Sequence, residues 1–160
     1  MPNVDKLIEQ LAASFIKKGY RLAVAESCTG GLLSAHCTSI AGSSAWFDRA
    51  WLPYSNDAKE QMLDVPVQLM IEQGAVSLAV TEAMALGCLE KSSANVSVAM
   101  SGVAGPGGGS VEKPVGTVCF AVAQTHKGVI SVQKKFKGNR QDIRQLAVLQ
   151  SLTMLITALQ

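Results

Sequence analysis

The sequence predicts an α/β domain built in three layers, helix–sheet–helix, around a mixed β-sheet. Segments with helical apolar spacing alternate with short β-like runs along the whole chain, which is the pattern of a layered α/β architecture. Two long β-like segments, 115–125 and 129–136, flank a turn near Lys127 and Gly128 and read as a β-hairpin, so part of the sheet is antiparallel. A long helix over 140–158, apolar on most sides in its later half, supplies a buried or interface element. With 160 residues the chain can enclose one core, and 1–160 is read as a single domain.

Leu7, Ile8, Leu11, Ala12, Phe15 and Ile16 recur on one helix face, and Gly19 ends that run as a C-cap. A short strand over 21–25 follows. Glu26-Ser27-Cys28-Thr29-Gly30-Gly31 is a loop feeding a helix over 32–38. Ala41 to Ser44 is a turn, and 50–52 is a second strand ended by Pro53. Ser55 is placed to cap a helix reaching Met62, and helices over 66–73 and 78–89 follow with Gly74 between them. A strand over 96–100 runs into 101–110, the most glycine-rich stretch of the chain.

Composition excludes several function classes. Hydrophobic residues make up 48% and charged residues 16%, the latter below the roughly 25% of average proteins. So little polar surface implies that some apolar surface is covered, and a homo-oligomer, dimer or higher, is expected. The net charge is +2 and the basic residues are scattered, apart from Lys134, Lys135 and Lys137, which read as a solvated strand edge. Nucleic-acid binders concentrate their charge on one face, so no nucleic-acid partner is expected. Cys28, Cys37, Cys88 and Cys119 show no C-x-x-C spacing and only His36 and His126 could join them, so no metal site is expected. Residues 1–18 lack a signal-peptide core and no apolar run is long enough to span a bilayer. A cytoplasmic chain with reduced thiols and no membrane partner is the expectation.

In open α/β sheets, ligands bind outside the carboxyl ends of the strands. Two loops fall there. In the first, Ser27 and Thr29 offer hydroxyls, and the Gly30 and Gly31 amides converge at a helix N-terminus, which suits an anion or a developing oxyanion. The same stretch also suits a plain helix cap. Cys28, with no histidine nearby in sequence, reads as a small buried thiol. The second loop, 101–110, has no Walker pattern but can wrap a ligand with its backbone, or simply connect two strands. Lys113, just after it, faces either an anion or solvent. Lys59 falls in the first turn of its helix, where the dipole opposes a cation and lowers the amine pKa. Burial there would make it a neutral general base, and exposure an ordinary surface lysine. The Tyr54 phenol, just ahead, suits a proton relay or plain packing.

Taken together, 25–31, 41–47, 54–59, 74–77, 101–106 and 113–117, in that order, resemble the C-terminal domain of the competence/damage-inducible CinA proteins. Stand-alone nicotinamide-mononucleotide deamidases belong to the same family. The resemblance spans essentially the whole chain. It implies an amidohydrolase without cofactor or metal, acting on a small-molecule nucleotide substrate. By that resemblance, Ser27 is the nucleophile, Lys59 its base and Tyr54 an assistant. Thr29, Gly30 and Gly31 lie against the substrate. The loop from Ser101, with Gly102 and Gly105, holds ribose or phosphate, and Arg140 or Arg144 binds phosphate. A nucleotide-binding module with weak turnover, or an amidase for another small amide, are the competing functions. The chain departs from the family pattern at Ala50, Pro53 and Asn139. Pro53 removes a backbone donor and restricts Leu52 beside Tyr54, which is expected to displace the Tyr54 hydroxyl.

Overall fold

The computed structural model describes residues 2–160. In chain order the elements are α1 (Val4–Lys18), β1 (Leu22–Glu26), α2 (Leu32–Thr38), a 3₁₀ turn (Ser43–Ala45), β2 (Phe47–Trp51), α3 (Asn56–Leu63), α4 (Val67–Gln73), α5 (Leu78–Glu90), β3 (Val96–Gly102), β4 (Thr117–Gln124), β5 (Gly128–Lys135) and α6 (Arg140–Ala158). The strands form one sheet in the order β2-β1-β3-β4-β5. β2, β1 and β3 run parallel, while β3, β4 and β5 pair antiparallel. The expected mixed sheet between two helical layers is therefore present. The 134–135 lysines lie exposed on the edge strand β5, as their reading required.

The two faces of the sheet differ in side-chain size. Leu22, Val24, Val96, Val98, Met100, Val118, Phe120 and Val122 point toward α1, α2 and α6. The alternate positions, Ala23, Ala25, Ala99, Ala121 and Ala123, point toward α3, α4 and α5. Period-two alternation assigns the two sets to opposite faces. Small residues let α5 lie close to the sheet, and Gly87 of α5 in turn lets α3 lie close to α5. A Cβ at Gly87 would stand 2.5 Å from the Leu63 carbonyl oxygen. Burying the large residues contributes roughly 25 cal/mol per Å² of apolar surface, so the bulky face supplies most of the core stability.

Several boundaries differ from expectation, among them the end of β3, which runs on to Gly102 and takes in Ser101 and Gly102. β2 starts at Phe47, not at 50, because an edge strand carrying an Asp48–Arg49 ion pair shows no apolar alternation. β4 starts at Thr117 because Gly116, at φ +95°, turns the chain against the Phe136 carbonyl, where any Cβ would collide. Gly19 caps α1 in the left-handed conformation, and Ser55 caps α3 by accepting from the Ala58 amide at 3.0 Å, both as expected. Asn139 caps α6 in a reciprocal box with Asp142, so the departure there keeps the function of a cap.

Candidate active site

The carboxyl ends of the three parallel strands open on one edge of the sheet. The chain leaves β1 to one side and returns through β3 on the other, so the crevice outside β1 and β3 is where a ligand is expected. A cleft of about 250 Å³ lies there. Its floor is Ser27 and Cys28 from the end of β1, with Ser101 and Gly102 from the end of β3. Tyr54, Ser55, Asn56 and Lys59 form one wall, Ala75 and Val76 another, and Ala104 and Arg140 close the rim.

Lys59 and Ser27 meet in this cleft. Lys59 Nζ stands 3.4 Å from Ser27 Oγ. It also donates to the carbonyl oxygens of Pro53, at 3.1 Å, and Tyr54, at 3.2 Å. Lys59 is only 2% exposed, and this burial holds its amine below the ordinary lysine value of 10.5. A neutral amine has two N–H donors and one lone pair. Two of its three neighbours are carbonyls, which only accept, and the third is a hydroxyl, which can donate. All three neighbours can accept from the Lys59 amine, and the Ser27 hydroxyl can instead donate to the lone pair of a neutral amine.

Pro53 does not spoil this wall. It is buried, and it contributes what a proline keeps, its carbonyl, to the Lys59 amine. Tyr54 is corrected in role. Its carbonyl touches both Lys59 Nζ and, at 3.5 Å, Ser27 Oγ. Tyr54 is 61% exposed, and among the described residues its phenol oxygen meets Arg140 Nη2, at 3.5 Å, and neither Ser27 nor Lys59. Ala50 lies exposed on β2, away from the cleft.

The loop after β1 also departs from expectation. The Gly31 amide does not face the cleft, because it donates to Glu26 Oε2 at 3.1 Å, and the Gly30 amide donates to the Ser27 carbonyl. Thr29 is fully buried, with its hydroxyl unpartnered among the described residues, and lies behind the cleft lining. Among the described residues, the two loop amides left without an acceptor are those of Cys28 and Thr29. Burial pushes the Cys28 thiol up to about 11, so it stays protonated at neutral pH.

The remaining expected residues divide. Ser101 and Gly102 line the cleft, with Ser101 Oγ donating to the Ala75 carbonyl at 2.9 Å. Gly105 does not line it; its carbonyl accepts from Arg140 Nη1 at 2.8 Å and so anchors the rim. Lys113, half-buried, donates its amine to the Val76 carbonyl. Arg140 overlooks the cleft, whereas Arg144 is turned to the Cys28 and Thr29 carbonyls. No three His, Cys, Asp or Glu side chains among the described residues converge where a metal ion could sit.

Glu26 was missed by the sequence reading. Wholly buried, its carboxylate accepts from the amides of Gly31, Leu33 and Ser34 and from the Ser34 hydroxyl, at 2.6–3.1 Å. It therefore caps α2, whose N-cap Gly31 has no side chain to do so. The signal was available: an acid just before a helix that lacks its own capping side chain. Ala75 and Val76 sat in a recognised segment, yet only their shared wall with Ser101 reveals a role.

A family model described as the CinA C-terminal domain matches residues 4–159. The chain belongs to the CinA C-terminal domain family. Among its relatives, the nicotinamide-nucleotide amidohydrolase PncC of Enterobacter agglomerans is 46% identical over 149 residues, spanning 93% of this chain and 91% of that protein. The PncC protein of Escherichia coli K12 is 44% identical over 150 residues, with 94% and 91% covered. A CinA-like protein of Desulfotalea psychrophila matches at 45% identity, but there the family domain is only 36% of the longer chain. The solved structure of a competence/damage-inducible protein from Agrobacterium tumefaciens superposes with a TM-score of 0.97 at 41% identity, covering 100% of this chain and 98% of that one.

Proposed function

We propose that the protein is a nicotinamide-nucleotide amidohydrolase, converting nicotinamide mononucleotide and water to nicotinate mononucleotide and ammonia. One observation carries this reading: a buried lysine amine, held by two carbonyls, stands within reach of a serine hydroxyl on the floor of the cleft. The names of the PncC relatives, which cover nearly the whole chain, supply the substrate class.

The chemistry follows from the geometry. A carboxamide is a poor electrophile and a free serine a weak nucleophile. Neutral Lys59 takes the Ser27 proton as Oγ attacks the carboxamide carbon. The amide of Cys28, the loop residue that lines the cleft without an acceptor for its N–H, receives the developing oxyanion, a donor of this kind being worth about 3–4 kcal/mol. The Lys59 ammonium then gives its proton to the departing nitrogen, and ammonia leaves an acyl-Ser27. Lys59 next takes a proton from the attacking water, and the acid product leaves as Ser27 is reprotonated. Arg140, on the rim, is the residue placed to meet the substrate phosphate, where a guanidinium fork gives two parallel hydrogen bonds.

The test is ammonia release from nicotinamide mononucleotide by the purified protein, and its loss in Ser27→Ala. Calorimetric binding of the nucleotide without ammonia release would replace this reading with a binding module. Ammonia release from other small amides alone would replace it with a different amidase.

A further inference from the structure

The wall formed by Ala75 and Val76 lies in the short connection between α4 and α5. Among the described residues, no backbone amide donates to the carbonyl of either one. Such a segment opens cheaply unless something else holds it. Here two side chains from distant parts of the chain do so. Ser101 Oγ, at the end of β3, donates to the Ala75 carbonyl at 2.9 Å. Lys113 Nζ, from beyond the glycine-rich loop, donates to the Val76 carbonyl. Two successive carbonyls of one wall are thus tied to two different segments. Lys113 is not part of the cleft lining, and no carboxylate pairs with it among the described residues. Its backbone is fixed by a reciprocal turn: its amide donates to Ser110 Oγ and the Ser110 amide donates to its carbonyl, each at 2.9 Å.

We infer that Lys113 is a positioning residue for substrate binding: from outside the cleft lining, its amine holds the Ala75–Val76 wall by the Val76 carbonyl. This rests on the proposed amidohydrolase reading for the identity of the ligand. The chemistry suits a lasting tie. A hydrogen bond from an ammonium to a carbonyl is roughly twice as strong as one between neutral groups. A half-buried ammonium with no acid beside it needs an acceptor, and a wall carbonyl that no amide serves needs a donor. The tie also joins two boundaries of the cleft. Gly105 is bound to Arg140 at the rim, and Lys113 is bound to Val76 in the wall, so one stretch of chain links rim to wall.

The test compares wild type, Lys113→Met and Lys113→Gln in two readouts. Met removes the donor and keeps the stem, while Gln is one bond shorter and uncharged. The first readout is hydrogen–deuterium exchange of the ligand-free protein over 74–80. Exchange there should quicken about tenfold in Lys113→Met, and by no more than that in Lys113→Gln, while β3 keeps its rate. The second is steady-state kinetics on nicotinamide mononucleotide. KM should rise about tenfold with kcat within about threefold, because the wall binds substrate and transition state alike. Unchanged exchange overturns the inference, and so does quickened exchange with an unaltered KM. An amine that only attracted the phosphate would raise KM and leave exchange of the ligand-free protein unchanged, so it falls under the first of these. Should wild type release no ammonia, the amidohydrolase reading fails by itself. The tie is then judged by exchange together with the calorimetric Kd of the nucleotide. Quickened exchange with weaker binding sustains it, and any other pair of results overturns it. Circular dichroism identifies a variant that has not folded, and the other variant then decides. Failure of both to fold would make Lys113 a folding residue and overturn the inference.

Discussion

The two walls that bring Ser27 and Lys59 together are built in opposite ways. The loop after β1 is held by charged side chains: Glu26 collects its later amides and Arg144 its carbonyls. The wall from Pro53 to Lys59 has no such clamp. It is held by a capped helix and by a lysine that donates back to carbonyls just ahead of it in the chain. Ser27 is thus fixed by its surroundings, whereas Lys59 is fixed by its own hydrogen bonds. A change on the loop side should therefore cost stability as well as rate, and a change at Lys59 should cost mainly rate.

The largest expected effect is at the dyad itself. Ser27→Ala and Lys59→Met should each lower turnover at least about 10⁴-fold, read as ammonia release, while circular dichroism stays native. Lys59→Met keeps the side-chain volume, so retained activity there would break the comparison outright.

Next comes the loop's anchor. Glu26→Ala strips three amides of a buried acceptor and should cost about 3 kcal/mol of stability in urea unfolding, together with lost activity. A Glu26→Ala protein as stable as wild type would show that the loop holds itself.

The pH dependence sharpens the other wall. Lys59 must be neutral to act, so kcat/KM should rise with pH and level off at a pKa below 10.5, and this rise should vanish in Lys59→Met. The linked stability has the same sign. Between the lowered folded pKa and 10.5 the unfolded chain binds the extra proton, so stability climbs with pH across that window and is lost as pH falls through it.

The smallest effects concern groups that stand in the cleft without a part in the chemistry. Tyr54→Phe should change kcat less than about threefold, because the carbonyl, not the phenol, touches the amine. Cys28→Ala should stay within a similar range. Native Cys28, with its thiol pushed up to about 11, should react with a disulfide reagent only on unfolding.

The layered fold was legible because its signals are local. The spacing of Leu7 to Ile16, the caps at Gly19 and Ser55 and the hairpin turn at Gly128 each act within a few residues. The meeting of Ser27 with Lys59 was legible only through family resemblance, since nothing in the spacing of positions 27 and 59 says that β1 and β2 lie side by side. What escaped was the use of the backbone. Which amides of a glycine-rich loop remain free depends on acceptors far away in sequence, and Glu26 and Arg144 reach theirs only once the sheet has formed. The expected role of the Tyr54 phenol failed for the same reason: the carbonyl of that residue, invisible in a sequence, makes the contact.

Gly87 has a consequence for the site from outside it. Because α3 rests its last turn on a helix with no side chain at that point, the depth to which α3 sinks is set by a missing methyl group. The Lys59 amine, four residues before Leu63, projects from the same face of α3 as that contact, so its reach is gauged there. A shim one carbon thick, slipped between the two helices, would be felt as a longer gap between Lys59 and Ser27.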